Sequence, residues 1–369
     1  MKVFDSDNIR NIALAGHGDS GKTSLVSALL YSAGAVNRLG RVEDGNTITD
    51  CDENEIERQI TISTSLAHLE WQGTKINLID TPGYRTFILD TKASMVAAET
   101  MLLVVDAVAG VEVQTELVWS FAEEFQMPRA VVLNKLDRER ASFNRSLEAL
   151  QKALGRTVTP VQLPIGEEEN FCGVVDLISG KAYVYETGTS GKFKEEAIPE
   201  ELKSESETCR EQLIEMIAES DDELMDKFFE AGTLSNEELL RGLRSSVQSN
   251  NIFPVFCVSA TTNCGTKQLM DRMVDLFPNP LERSTIPLVD SKSKEDKDSK
   301  IQKDGPTAVF VCKTLADSFA GRINLVKVIS GTLKSDITLK NLVKNTDERL
   351  GTLQIMQGKT TEPISEAHA

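Results

Sequence analysis

The stretch GHGDSGKT, Gly16–Thr23, follows the apolar run NIALA and precedes the helical pattern SLVSALLYSAG. It fits G-x-x-x-x-G-K-[ST], a glycine-rich loop whose backbone N–H groups can surround phosphates. Between a strand and a helix it also places those groups at a helix N-terminus, where anions are stabilised. Gly16, His17, Gly18, Asp19, Ser20, Gly21, Lys22, Thr23 and Ser24 are therefore the expected phosphate-binding residues. The lysine neutralises outer phosphate oxygens and the threonine hydroxyl ligates magnesium. His17 is expected to pack rather than catalyse.

Three further motifs follow, each after an apolar run. DTPG, Asp80–Gly83, follows KINLI; NKLD, Asn134–Asp137, follows AVVL; SAT, Ser259–Thr261, follows FPVFCV. An aspartate ending a buried strand suits a metal beside phosphates, which adds Thr81, Pro82 and Gly83 to the expected site. Asp137 is the candidate for reading guanine, because a carboxylate can accept both the ring N–H and the exocyclic amine, which adenine cannot offer together. Asn134 would brace the loops, the Lys135 stem would lie over the base, and Ser259, Ala260 and Thr261 would offer backbone donors to the base oxygen. Strands alternating with helices at this spacing predict a mainly parallel sheet with helices on both faces. Ligands bind such sheets at the carboxyl ends of the strands.

Composition narrows the rest. The 369 residues are 40% apolar and 26% charged, ordinary for a soluble globular chain of two or three domains. The opening MKVFDSDNIR carries no apolar signal region, and MLLVVDAVAGV is interrupted by Asp106, so it reads as a buried strand. Six scattered cysteines and three histidines suggest neither a disulfide framework nor a zinc site, and the cytoplasm is the expected compartment. A net charge of −17 argues against bulk attraction to nucleic acid. Residues 166–250 hold 8 Lys and Arg against 21 Asp and Glu, a balance of −13, so most of the acidity sits in one insert. In that insert Leu213, Ile214, Met216, Ile217, Leu224, Met225, Phe228 and Phe229 read as helix-packing core. The run SKSKEDKDSKIQKDG reads as a solvated linker, and the tail from Pro306 as antiparallel strands.

The order GHGDSGKT, RQITI, DTPG, NKLD, SAT resembles the translational GTPases. LPIGEEENFCGVVDLISGKAYVY, FPVFCVSA and GPTAVFVCKTLADSFAGRINLVKVISGTLK narrow the resemblance to elongation factor G and its close paralogues. It implies a P-loop GTPase domain over 1–284 with an inserted α+β subdomain at about 158–252. A charged linker at 285–304 and an incomplete antiparallel β-barrel at 305–369 would follow. Because the chain stops inside that barrel, the resemblance also implies a fragment. GTP or GDP with Mg2+ would be the ligands, and the partner would be the ribosome, both RNA and protein. Neither DNA nor a membrane is implied, and a monomer is expected. Residue by residue, Lys22 would hold the β- and γ-phosphates. Thr23, Thr61 of RQITI and Asp80 would hold the metal, and Gly83 would sense the γ-phosphate. Asp19, Lys22 and Tyr84 are the catalytic candidates.

Two residues depart from that pattern. Gln59 stands where the family usually has glycine, and Tyr84 where it usually has the histidine that positions the attacking water. Two functions therefore stay open: a GTP-hydrolysing factor driving translocation or a related ribosomal step, and a ribosome-associated switch with weak or absent hydrolysis. An adenine-nucleotide kinase or ATPase shares the phosphate loop but leaves NKLD and SAT unexplained.

Overall fold

The run IRNIALA becomes β1 (Ile9–Ala15), whose Ile12–Ala15 side chains are fully buried. The computed structural model describes residues 3–283, 286–289, 293, 296–299, 302–317 and 321–369. Around β1 assemble β2 (Ser65–Trp71), β3 (Thr74–Asp80), β4 (Thr100–Asp106), β5 (Arg129–Asn134), β6 (Val158–Pro160) and β11 (Phe253–Cys257). Their order is β2-β3-β1-β4-β5-β11-β6. All pairings are parallel except that of β2 with β3. β4 and β5 are buried on both faces, which is why their sequences are continuous apolar runs rather than alternating ones.

Helices α1 (Lys22–Ser32) and α9 (Thr266–Leu276) pack together, α1 against β2 and β3. α2 (Glu53–Arg58) is a short capped helix in the segment leading to Thr61. α3 (Ile88–Met95), α4 (Val113–Glu124) and α5 (Phe143–Leu154) form a second row, with α3 against β1 and α4 against β4. Leu25, Leu29 and Leu30 of α1 are fully buried, each worth about 1.5–3 kcal/mol over exposure. This is the doubly wound layer arrangement that the alternating pattern predicts.

The insert holds a four-stranded antiparallel sheet, β7 (Gln162–Ile165), β8 (Gly173–Asp176), β9 (Lys181–Tyr185) and β10 (Phe193–Glu196). Three helices follow: α6 (Glu200–Ala218), α7 (Asp222–Ala231) and α8 (Asn236–Gln248). Val158–Pro160 pairs with β11 in the main sheet, so the subdomain's own sheet begins at Gln162 rather than at 158. Arg272 of α9 holds Asp176 through two hydrogen bonds of 2.8 and 3.0 Å, tying the insert to the main domain. Leu213, Ile214, Ile217 and Leu224 are buried as expected, but Phe229 is 77% exposed. Consecutive residues on a helix lie about 100° apart, so Phe228 and Phe229 cannot both face the core.

Beyond the main domain, β12 (Ile286–Val289) pairs antiparallel with β13 (Asp296–Ser299), where a solvated linker was the expectation. Parts of 285–304 lie outside the described residues. β14 (Ala308–Asp317) and β15 (Gly321–Ser330) form a long antiparallel pair. β16 (Thr332–Lys334) pairs with β21 (Glu366–His368), β17 (Thr338–Asn341) with β18 (Thr346–Arg349), and β19 (Leu353–Gln357) with β20 (Thr360–Ile364). All are antiparallel, and they surround a small core at Val328, Leu333 and Ala369.

Candidate nucleotide site

Five neighbouring strands, β3, β1, β4, β5 and β11, end at one edge of the sheet, and each delivers a motif or an anchoring residue there. Gly16 continues β1 at φ 149°, and a Cβ on it would lie 2.3 Å from the Val104 carbonyl oxygen. Gly21 sits at φ 89°, where a Cβ would lie 2.4 Å from Asn134 Nδ2. Both positions are closed to side chains, Gly16 by the Val104 backbone and Gly21 by the Asn134 side chain. Lys22 is 5% exposed, and its ammonium donates to the carbonyls of Gly16 at 3.2 Å and His17 at 2.7 Å. Burial pulls Lys22 down to about 8, against the Asp80 and Asp19 carboxylates, which favour its charge. Ser20 Oγ is buried and makes no hydrogen bond. His17 pairs through Nε2 with Glu112 at 3.4 Å.

The expected metal ligands meet. Thr23 Oγ1 lies 3.0 Å from Thr61 Oγ1. Thr61 donates to Asp50 Oδ1 at 2.8 Å, and Thr49 donates to Asp80 Oδ2 at 2.6 Å. Asp80 is fully buried and its Oδ1 makes no hydrogen bond. Burial, then the Asp80 carboxylate, push Asp50 up to about 7, and burial raises Asp80 as well. Two buried carboxylates beside two hydroxyls form a hard-oxygen set that suits Mg2+ sharing ligands with phosphates. Asp50 and Thr49 were not legible in the sequence; the only signal was their place in the polar segment before RQITI. Gln59 closes α2 in the left-handed region, φ 56°, which explains why glycine is usual there.

The base-side motifs lock the loops together. Asn134 is buried, donates to the Ser20 carbonyl at 3.0 Å and accepts from the Ala260 N–H at 3.1 Å. It thus braces the phosphate loop against SAT. Ser259 N–H donates to the Cys264 carbonyl, so this amide and that of Ala260 serve the loop itself. Lys135 donates to Asp106 Oδ2 at 2.7 Å and to the Asp19 carbonyl. Asp106, read from sequence only as an interruption of an apolar run, therefore anchors the NKLD lysine. Asp137 Oδ1 is buried and makes no hydrogen bond, an acceptor left without a protein partner in the NKLD loop.

The DTPG turn presses on the phosphate loop. A Cβ on Gly83 would lie 2.3 Å from Lys22 Nζ and 2.6 Å from the His17 carbonyl oxygen. Thr81 donates to the Leu14 carbonyl and the Pro82 carbonyl accepts from Thr91, so both residues hold the turn in place. Tyr84 is 36% exposed and donates through its hydroxyl to Asp19 Oδ2 at 2.7 Å. Ser24 lies on the first turn of α1 and Thr261 is exposed at the rim.

Orphaned acceptors at Asp80 and Asp137, a loop that excludes Cβ atoms, and paired hydroxyls fit a magnesium–guanine nucleotide. Similarity to known proteins points the same way. The Elongation factor Tu GTP binding domain family matches residues 7–279, and the Elongation factor G domain 2 family matches 306–369. Elongation factor G of Mycoplasma pneumoniae is 35% identical over 370 residues, which cover 100% of this chain and 53% of that protein. A crystal structure from Thermus thermophilus superposes with a TM-score of 0.87 at 33% identity, over 98% of this chain and 51% of that one. The chain thus spans about half the length of these relatives. With its phosphate loop, DTPG, NKLD and SAT motifs on one sheet edge and an antiparallel domain behind them, the chain belongs to the translational GTPases, in the elongation factor G-like branch.

Proposed function

We propose that this chain binds GTP with Mg2+ and hydrolyses it in the service of a ribosomal step of the translocation type, in the cytoplasm. The observation that carries the reading is the buried, unpaired Asp137 Oδ1, held by the same loop that Asn134 and Lys135 fasten to the phosphate loop. Asp137 would select guanine and Lys22 with the loop amides would hold the phosphates. Thr23, Thr61, Asp80 and Asp50 would hold Mg2+. When bound, that ion neutralises charge developing on the phosphate oxygens. The chain's own part is positioning. Thr61 closes from the α2 segment onto Thr23, and Gly83 brings its backbone against Lys22.

A second reading, a switch that engages the ribosome with weak hydrolysis, rests on Tyr84 standing at the water-handling position. Nucleotide competition and single-turnover hydrolysis with and without ribosomes test both. GTP displaced equally by ATP would overturn the guanine reading. GTP bound but never hydrolysed, even with ribosomes, would favour the switch.

A further inference from the structure

Gly18 and Tyr84 are fitted to one another. A Cβ on Gly18 would lie 3.0 Å from Cζ of Tyr84, and 3.1 and 3.2 Å from its two Cε atoms. The hydroxyl end of the ring therefore lies directly over the phosphate loop, where a larger residue at 18 would displace it. The hydroxyl is spoken for: it donates to Asp19 Oδ2 at 2.7 Å. Asp19 is held in turn. Its backbone is left-handed at φ 62°, and its carbonyl accepts from the Lys135 ammonium, which Asp106 anchors at 2.7 Å. The phenol's orientation is thus set by the phosphate loop and, through Lys135, by the base-reading loop.

We propose that Gly18, Asp19 and Tyr84 work as one unit, in which Gly18 admits the ring and Asp19 is the positioning residue that makes the phenol oxygen a hydrogen-bond acceptor for the attacking water. The inference rests on the GTP-hydrolysing reading above. A neutral phenol can donate one hydrogen bond and accept through its lone pairs. With its O–H given to Asp19, only acceptance remains. A water that donates one O–H to the phenol oxygen keeps a lone pair free for the γ-phosphorus. The new bond joins water oxygen to phosphorus, and the bond between the γ-phosphorus and the bridging oxygen breaks with its electron pair left on GDP. The water's proton ends on the inorganic phosphate. Tyr84 takes no proton, and the hydrogen bond to Asp19, aided by burial, pushes its own ionisation up to about 12, so it stays neutral throughout the working range. Phosphoryl transfer depends on positioning more than on proton abstraction, so such an acceptor suffices. On this account tyrosine is matched to its loop rather than a defective histidine.

The test is single-turnover GTP hydrolysis by the chain, with and without ribosomes, for Asp19→Ala, Tyr84→Phe, the double variant, Gly18→Val, and Gly18→Val with Tyr84→His. GDP affinity on each variant checks that the pocket has formed. Asp19→Ala, which removes the acceptor, and Tyr84→Phe should each slow hydrolysis about tenfold, the scale of one positioned hydrogen bond. The double variant should be no slower than Tyr84→Phe alone, because Asp19 acts only through the phenol. Gly18→Val should slow hydrolysis, and the shorter imidazole of Tyr84→His should recover part of that loss. Multiplying effects in the double variant, or a Gly18→Val defect indifferent to residue 84, would overturn the unit. So would full activity in Asp19→Ala. A wild-type chain that never hydrolyses GTP removes the functional reading itself, a result distinct from any of these.

Discussion

Replacing Asp137 by Asn should separate the proposed guanine recognition from everything else the site does. In the structure Asp137 Oδ1 is buried and makes no hydrogen bond, so it is an acceptor with no protein partner to give up. Binding guanine would satisfy the carboxylate with two N–H groups, each charge-assisted and worth about 1.5–3 kcal/mol. Asn retains one acceptor but turns an N–H2 toward the exocyclic amine of guanine, so one bond is lost and two donors face each other. A loss of about 3 kcal/mol, or roughly 150-fold in affinity, is expected for GTP. Xanthine replaces the exocyclic amine with a carbonyl, which the new amide can satisfy, so XTP should gain what GTP loses. The assay is equilibrium competition of GTP, XTP and ATP against a fluorescent guanine nucleotide, on wild type and Asp137→Asn. Asn134 and Lys135 make their contacts to Ser20, Ala260, Asp106 and Asp19 independently of residue 137, so the loop should hold its shape. An Asp137→Asn chain with undiminished GTP affinity and no gain for XTP would refute the assignment.

Other expectations follow from the same geometry. Backbone amides of residues 38–61 should exchange faster without nucleotide than with a GTP analogue and Mg2+, since Thr61 and Asp50 close on the proposed metal position; equal protection in both states counts against a switch there. Gln59→Gly should relieve the left-handed strain at the end of α2 and stabilise that segment by about 0.5–1 kcal/mol, read from its exchange rates; no change would mean the strain is absorbed elsewhere. Lys313 of β14 pairs with Asp90 of α3 at 2.7 Å and donates to Ser63, while Asp90 accepts from the Thr64 N–H at 2.6 Å. Lys313→Met should therefore cost about 1–3 kcal/mol and loosen residues 61–64, and unaltered exchange at 61–64 would show that the second domain is not coupled to that segment. Burial pushes Lys75 down to about 8, with Glu70 opposing, so unfolding takes up a proton between about pH 8 and 10.5. Its charge is a penalty carried in full below pH 8 and relieved as pH rises through that window. Lys75→Met should add about 1–3 kcal/mol at pH 7 and lose that advantage by about pH 10.5, and a melting temperature unchanged at pH 7 would contradict it.

The linear sequence determined the doubly wound domain and most of its site because strand periods, glycine spacing and motif order are local properties. A strand, a loop that admits no Cβ, and a lysine opening a helix can be read without knowing what lies opposite. Gly16, Lys22, Thr23, Asp80, Asn134 and Asp137 were legible for that reason. What only the tertiary structure decided depends on residues distant in the chain that meet in space. Asp50 and Thr49 join the hydroxyl–carboxylate cluster at Thr23, Thr61 and Asp80 because the segment before Thr61 folds back over Asp80, and no short-range pattern marks them. Asp106 looked like a flaw in an apolar strand until Lys135, 29 residues later, came to rest on it. Val158–Pro160 reads as part of the insert but completes the main sheet, where pairing with β11 leaves all three residues buried. Tyr84 is the sharpest case. Its identity was plain in the sequence, but its bond to Asp19 joins residues 65 apart, and its fit to Gly18 spans a similar distance. Packing at that distance is set by how the sheet brings two loops together, which no local propensity records.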